Sequence, residues 1–252
     1  MIVHKETDQF GTVMVSTSDN YVDLLFQEDP NAIQSRLNLD SPEVPELEYV
    51  KCMCLGSSLV PRPRNILILG HGGGSLSKFY CSKFPKANID IVDMRPSLWD
   101  ISKKFFQFLP SAKTRLFIED ATKFLARAAS AGDSYDLIFV DLYVDGPSNV
   151  MATEALWDPI SRVLSPLGFC LANVWRFNEY EILYETLVHN LSEMFSTVAR
   201  TDMLSNQCIL VLSHLDPTVL DTSHLVNRTD YDTINTKIPL SRILRNTRIL
   251  RK

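Results

Sequence analysis

No apolar run in the 252-residue chain approaches the ~20 residues that a membrane-spanning helix needs. The opening residues, MIVHKETDQF, lack the basic-then-apolar pattern of a secretory signal. Together these absences predict a cytoplasmic protein without a membrane partner. Cysteine is sparse and scattered. Cys52, Cys54, Cys81, Cys170 and Cys208 are an odd number at irregular spacing, which argues against a disulfide framework. Cys52 and Cys54 have no second Cys or His pair at ligand spacing, so core packing is expected of them and no metal. His4, His189, His214 and His224 fall into no partner pattern, and Ser75 in GGGSL sits in no nucleophile elbow, which leaves a serine hydrolase unsupported. Net charge is modest: 30 acidic against 25 basic residues give −5, a balance that disfavours nucleic acid and tolerates a cationic substrate. Internal repeats and low-complexity segments are also missing.

A 45% hydrophobic composition against 22% charged residues suffices for one sizeable core or two modest ones. The runs FGTVMVSTS and YVDLLFQE, parted by Thr17 to Asn20, predict an antiparallel hairpin or small sheet. SPEVPEL then introduces a helix expected over Glu46 to Leu59, and PRPR at 61–64 marks a change of texture. From Asn65 strands alternate with helices: NILILG, Ser75 to Phe84, NIDIVD, Ser97 to Phe108, RLFIED, Thr122 to Ala131, YDLIFVD, Ala152 to Leu164, GFCLANVW, Glu179 to Glu193. That alternation predicts a parallel sheet with crossover helices. TVAR and QCILVLS are joined by too little chain for a crossover, so they should pair antiparallel. A parallel sheet with such an antiparallel edge points to an α/β fold of the S-adenosylmethionine-dependent methyltransferase type and away from a nicotinamide-binding one. The expected division is 1–60 (amino-terminal hairpin region and linking helix), 61–215 (Rossmann-like catalytic part) and 216–252 (extension), the last with an Arg-rich tail read as frayed or surface-packed.

LILGHGGGSL at 67–76 is a glycine cluster between a strand and a helix. Gly70, Gly72, Gly73 and Gly74 would form either a structural turn or a loop that brings a ligand close to backbone N–H groups. His71 within it is either a ligand contact or a surface histidine. Ligands of open parallel sheets bind beyond the carboxyl ends of the strands, and Asp93, Asp120 and Asp141 each stand at such an end. Asp93 is placed for ribose hydroxyls, and Asp120 with Ala121 for an adenine edge, although Asp120 also suits a helix N-cap. Asp141 and Asp145 bracket DLYVD, which is either a solvated loop or a carboxylate pair that holds and deprotonates an amine.

The run ILILGHGGGSL, IDIVDMRP, LFIEDATKFL, YDLIFVDLY and LSPLGFCLANV resembles the spermidine synthase (polyamine aminopropyltransferase) family, in its divergent, spermidine-synthase-like branch, over residues 1 to about 213. AIQS resembles the family's Gln-Ser/Thr motif, and Glu48-Tyr49-Val50 falls where its Tyr-His-Glu motif belongs. The resemblance implies decarboxylated S-adenosylmethionine as co-substrate, a diamine such as putrescine as acceptor, no metal and a homodimer. It also implies Asp93 at the ribose, Asp120 at the adenine, Asp141 at the attacking amine, and Gln34 and Tyr49 between donor and acceptor. Three departures stand out. The acid of the family's Gly-Gly-Gly-Asp-Gly-Gly loop is Gly73 here, the family's Asp-Ser-Ser-Asp is stretched to Asp141 and Asp145, and Tyr-His-Glu has become Tyr49-Val50-Lys51. Loss of the acid at Gly73 keeps methyl transfer from S-adenosylmethionine open as an alternative, and the altered acceptor motifs keep open a non-catalytic binding or dimerisation module.

Overall fold

The computed structural model describes residues 1–26, 29–142, 154–175, 181–203, 207–221 and 223–250. Its chain begins with β1 (Ile2–Asp8), β2 (Gly11–Thr17), β3 (Tyr21–Phe26) and β4 (Asp29–Asn38), an antiparallel sheet in simple chain order. The expected hairpin is thus its middle pair. β1 is hard to see in the sequence because almost none of its side chains is buried, so IVHKETD carries no alternation of apolar and polar residues. Val13, Val15, Val22, Leu24 and Leu37 turn inward and pack on Leu98, Ile101 and Phe106 of the following domain.

Where one helix over Glu46 to Leu59 is expected, two short ones form: α1 (Glu48–Met53) and α2 (Gly56–Leu59). The cause is Tyr80. Its hydroxyl donates to the Met53 carbonyl at 2.9 Å, and a Cβ on Gly56 would lie 2.8 Å from that hydroxyl oxygen. The intruding phenol takes an acceptor at the end of α1, and only glycine lets the chain pass so close.

The chain continues through β5 (Asn65–Leu69), α3 (Ser75–Lys83), β6 (Asn88–Asp93), α4 (Pro96–Phe105), β7 (Thr114–Ile118), α5 (Ala121–Ala131), β8 (Tyr135–Val140), α6 (Glu154–Val163), β9 (Leu164–Trp175), α7 (Glu181–Met194), β10 (Thr197–Asp202) and β11 (Gln207–Ser213). It closes with α8 (Ser223–Thr236), α9 (Leu240–Arg245) and β12 (Thr247–Ile249). The large sheet has the order β12-β10-β11-β9-β8-β5-β6-β7. β5 to β9 run parallel and β11 returns antiparallel beside β9, as the short TVAR–QCILVLS connection predicts. Ile66 and Ile68 face one core and Leu67 and Leu69 the other, which is why the central strands read as unbroken apolar runs. β5 has β6 on one side and β8 on the other, so chain order reverses there and a crevice opens beyond the carboxyl ends of β5 and β8.

The carboxy-terminal segment departs from the expected frayed or surface-packed tail. Ile238, Leu240, Ile243 and Leu244 are buried in the core that holds Ile66 and Val50, and β12 pairs with β10 through Thr247, Arg248 and Ile249. The arginines alternate with apolar residues, so one face docks while Arg242 and Arg245 stay in water. Among the described residues no helix is long and apolar enough to cross a membrane.

Candidate active site

The glycine loop follows β5 directly. Gly70, Gly72 and Gly74 have φ of +93°, +54° and +81°. A Cβ on Gly70 would come within 2.0 Å of the Asp141 carbonyl oxygen, so β5 and β8 can approach only through glycine. Gly73 is closed off in another way: its Cβ would meet Ser35 Cβ at 2.7 Å and the Phe106 ring at 3.1 Å.

Of the two readings of the loop, structural turn or ligand-facing amides, its hydrogen bonds favour the first. Gly70 N–H donates to Val92 O at 2.8 Å, His71 N–H to Asp93 Oδ2 at 2.8 Å, Gly73 N–H to Ser35 Oγ at 2.8 Å and Gly74 N–H to His71 O at 2.8 Å. Gly72 N–H also bonds Asp93. With all five donors spent inside the protein, the loop supplies a tight turn and space but no cradle for a phosphate.

A cavity of about 490 Å³ opens over this loop, lined by Gly70, Gly72, Asp93, Asp120, Ala121, Asp141, Gln34 and Tyr49 among others. The three strand-end carboxylates therefore share one space. Gly73 and Gly74 are not in its lining. The first packs on Ser35 and Phe106 and the second on His71 and Ser102, so they shape the loop from behind. Asp145 lies outside the described residues.

Asp93 ends β6. Burial pushes its pKa up, against the amides of Arg95, His71 and Gly72 that favour the anion. Asp120 is the N-cap of α5, with Oδ1 accepting from Thr122 N (2.9 Å), Lys123 N (3.1 Å) and the Thr122 hydroxyl. Burial opposes its ionisation, but these bonds outweigh it and hold the group below the usual carboxylate range. Cap and cavity wall are thus one residue, and the two readings of Asp120 do not exclude each other.

Asp141 is fixed by its main chain, N–H to Leu69 O at 2.8 Å, and by its side chain, whose Oδ1 accepts from Asn173 Nδ2 at 3.0 Å. Burial pushes its pKa up to about 6, opposed by hydrogen bonds from Asn173 and the Tyr49 hydroxyl and reinforced by the charge of Asp93. Burial and the Asp141 charge drive the Tyr49 phenol well above its ordinary value, so it stays protonated and can donate, with Asp141 and Gln34 O (3.3 Å) as its acceptors.

Asn173 is absent from the sequence-based set. It is 9% exposed, and its Oδ1 has no hydrogen-bond partner among the described residues. The available signal was a lone amide inside the apolar run FCLANV. His71 belongs to the cavity lining and is no surface histidine. Its ring is buried between Ser77 Oγ (3.1 Å) and Ser102 Oγ (2.8 Å), and burial pushes its pKa down to about 3, leaving a neutral strut beneath the loop. Among the described residues no group of three His, Cys, Asp or Glu is arranged to hold a metal ion.

Comparison with known proteins gives the family of the chain. A polyamine aminopropyltransferase from Vibrio vulnificus is 28% identical over 178 residues, covering 69% of this chain; the chain spans 59% of that protein's length. The crystal structure of human methyltransferase-like protein 13 in complex with SAH superposes with a TM-score of 0.65 at 25% identity, over 79% of this chain and 93% of that one. A probable spermidine synthase from Corynebacterium glutamicum superposes with a TM-score of 0.76 at 16% identity, over 99% and 90% of the two chains, a likeness of fold. The Spermine/spermidine synthase domain matches residues 49–206, from Tyr49 past the last strand-end carboxylate and Asn173. With more than half of its length under that match, the chain belongs to the spermine/spermidine synthase family.

Proposed function

We propose that this protein transfers an alkyl group from a sulfonium donor to an amine, in the first place an aminopropyl group from decarboxylated S-adenosylmethionine to putrescine or a related amine. One observation carries the reading: Asp93, Asp120 and Asp141 border a single cavity, and among the described residues none of them makes a side-chain ion pair. Among the described residues the one cation in the lining, Arg95, is consumed by Asp8. A volume of about 490 Å³ suits a small molecule, and the charge suits a sulfonium with a second ammonium group. A loop without free amides offers nothing to a pyrophosphate, which disfavours a nicotinamide dinucleotide.

In this reading Asp93 accepts the ribose hydroxyls, Asp120 and Ala121 meet the adenine edge, and Gly70 and Gly72 leave room for the nucleoside. When bound, the donor supplies a carbon beside a sulfonium: the amine pair forms the C–N bond while the C–S pair leaves on sulfur as methylthioadenosine. Asp141 holds the amine and takes its proton. An alkylammonium titrates near about 10 in water, burial lowers that value, and Asp141 is already raised to about 6, so desolvation narrows the gap from both sides. Tyr49 and Gln34 stand between the two substrates, and Asn173 orients the Asp141 carboxylate through its Nδ2. Asp145 is the second acceptor-side acid of the proposal. No metal enters it, and a cytoplasmic homodimer completes it.

Methyl transfer is the second reading, favoured by Gly73. No acid can stand at that position without displacing Ser35, so nothing there repels the carboxylate of S-adenosylmethionine, and the human methyltransferase-like protein 13 structure holds SAH on a similar fold. Calorimetry with the two donors separates these readings. Tighter binding of the decarboxylated donor, methylthioadenosine release with putrescine and its loss in Asp141→Asn are expected. Binding of S-adenosylmethionine alone would hand the site to methyl transfer, and no binding or thermal stabilisation by either donor would leave a binding or dimerisation module.

A further inference from the structure

Arg95 stands two residues past Asp93, in extended conformation at the start of α4. Its main-chain N–H donates to Asp93 Oδ1 at 2.9 Å. Its side chain leaves the large domain altogether: Nε reaches Asp8 Oδ2 at 3.0 Å, and Nη2 reaches Asp8 Oδ1 at 2.9 Å and the Gly11 carbonyl at 2.6 Å. The guanidinium lies over the Phe26 ring at 5.1 Å and is almost fully buried. Asp8 is used twice, because its Oδ1 also accepts the Phe10 N–H at 2.8 Å and so closes the two-residue turn Gln9-Phe10 between β1 and β2. Gly11, at φ +100°, completes that turn. The turn is part of the cavity: Gln9, Phe10 and Gly11 all line it, and Phe10 keeps 37% of its surface exposed. A partly uncovered ring facing a nucleoside-sized space, held there by a buried bidentate ion pair, is a built wall and more than a surface loop.

We propose that Phe10 is a donor-contacting residue and that Arg95 is the positioning residue that holds it against the cavity, coupling the ribose acid Asp93 to the tip of the amino-terminal sheet. The inference rests on the adenosyl-donor reading above and adds the part of the site contributed by the other sheet.

The test is the calorimetric affinity of methylthioadenosine for the full-length chain and its variants. Phe10→Ala is expected to weaken binding about tenfold, the order of one aromatic stacking contact, while Phe10→Tyr, which keeps the ring, stays within about threefold of the parent. Arg95→Met is expected to weaken binding similarly, and the Phe10→Ala/Arg95→Met double variant to lose little more than either alone, because Arg95 acts through Phe10. Additive losses, which a general structural role would produce, overturn the proposal. Should Arg95→Met fail to fold, Phe10→Ala at the turn tip decides by itself: an affinity within twofold of the parent overturns the inference alone. If the parent chain binds no adenosyl compound, the functional reading falls and takes this inference with it.

Discussion

At Asp141 burial and chemistry oppose each other. The folded chain raises its pKa from 3.8 to about 6, so between those values the native state holds a proton that the unfolded chain has released. Stability therefore falls as pH rises through this window, and above it the ionised Asp141 costs on the order of 3 kcal/mol. Asp141→Asn keeps the oxygen that Asn173 binds and removes the charge. We expect it to abolish turnover, to raise stability by about 2–3 kcal/mol at pH 7.5, and to change it little near pH 3.5, read from urea midpoints at both values. Wild-type turnover should rise through about pH 6 as the base form appears. Equal stability of the two proteins at pH 7.5 would remove the burial argument. Asp141 was visible in the sequence because it ends an apolar run. Asn173 was not, since only the β8–β9 register, with Val140 opposite Ala172, brings residues 141 and 173 side by side.

Among the elements, the glycine loop shows how two residues of one type can differ in consequence. Gly70 and Gly132 both have positive φ, +93° and +74°, yet a Cβ on Gly132 meets nothing within 4 Å while one on Gly70 collides with the Asp141 backbone. Gly132→Ala should cost only the backbone strain, about 1–2 kcal/mol. Gly70→Ala must also push β5 from β8, so a larger loss of stability and loss of donor binding are expected, checked by denaturant titration and calorimetry. Comparable effects in the two variants would contradict the close approach. This loop, the alternating strands and helices, and the antiparallel β10–β11 pair were legible because apolar periodicity and connection length are local properties. The break between α1 and α2 was not, because it depends on Tyr80 arriving from α3. Nor was the docking of α9 and β12, because charge dominates the composition of SRILRNTRILRK and hides its apolar face.

Across the whole molecule the carboxy-terminal segment behaves as part of the large domain, and one buried acid shows how it is held. Asp232 of α8 is 6% exposed; it accepts from Ser58 Oγ at 2.7 Å on α2 and from Lys83 Nζ at 2.8 Å at the end of α3. Arg228 of the same helix donates to the Ser58 carbonyl at 2.9 Å. Three helices remote in sequence thus meet at one carboxylate, at the opposite end of α3 from the glycine loop. Asp232→Ala would strand a partly buried ammonium and a hydroxyl, with a cost on the order of 2–4 kcal/mol, somewhat below a fully buried pair because Lys83 keeps some exposure. For a chain of this size that corresponds to a drop of roughly 4–16 °C in Tm. Asp232→Ala combined with Lys83→Met should recover part of it, since the uncompensated charge is then gone. The cavity over the glycine loop draws nothing from this cluster, so methylthioadenosine affinity at 20 °C should match the parent. A variant with unchanged Tm would show that α8 is held by its apolar contacts alone, and one that lost affinity along with stability would show that the segment reaches the site through α3.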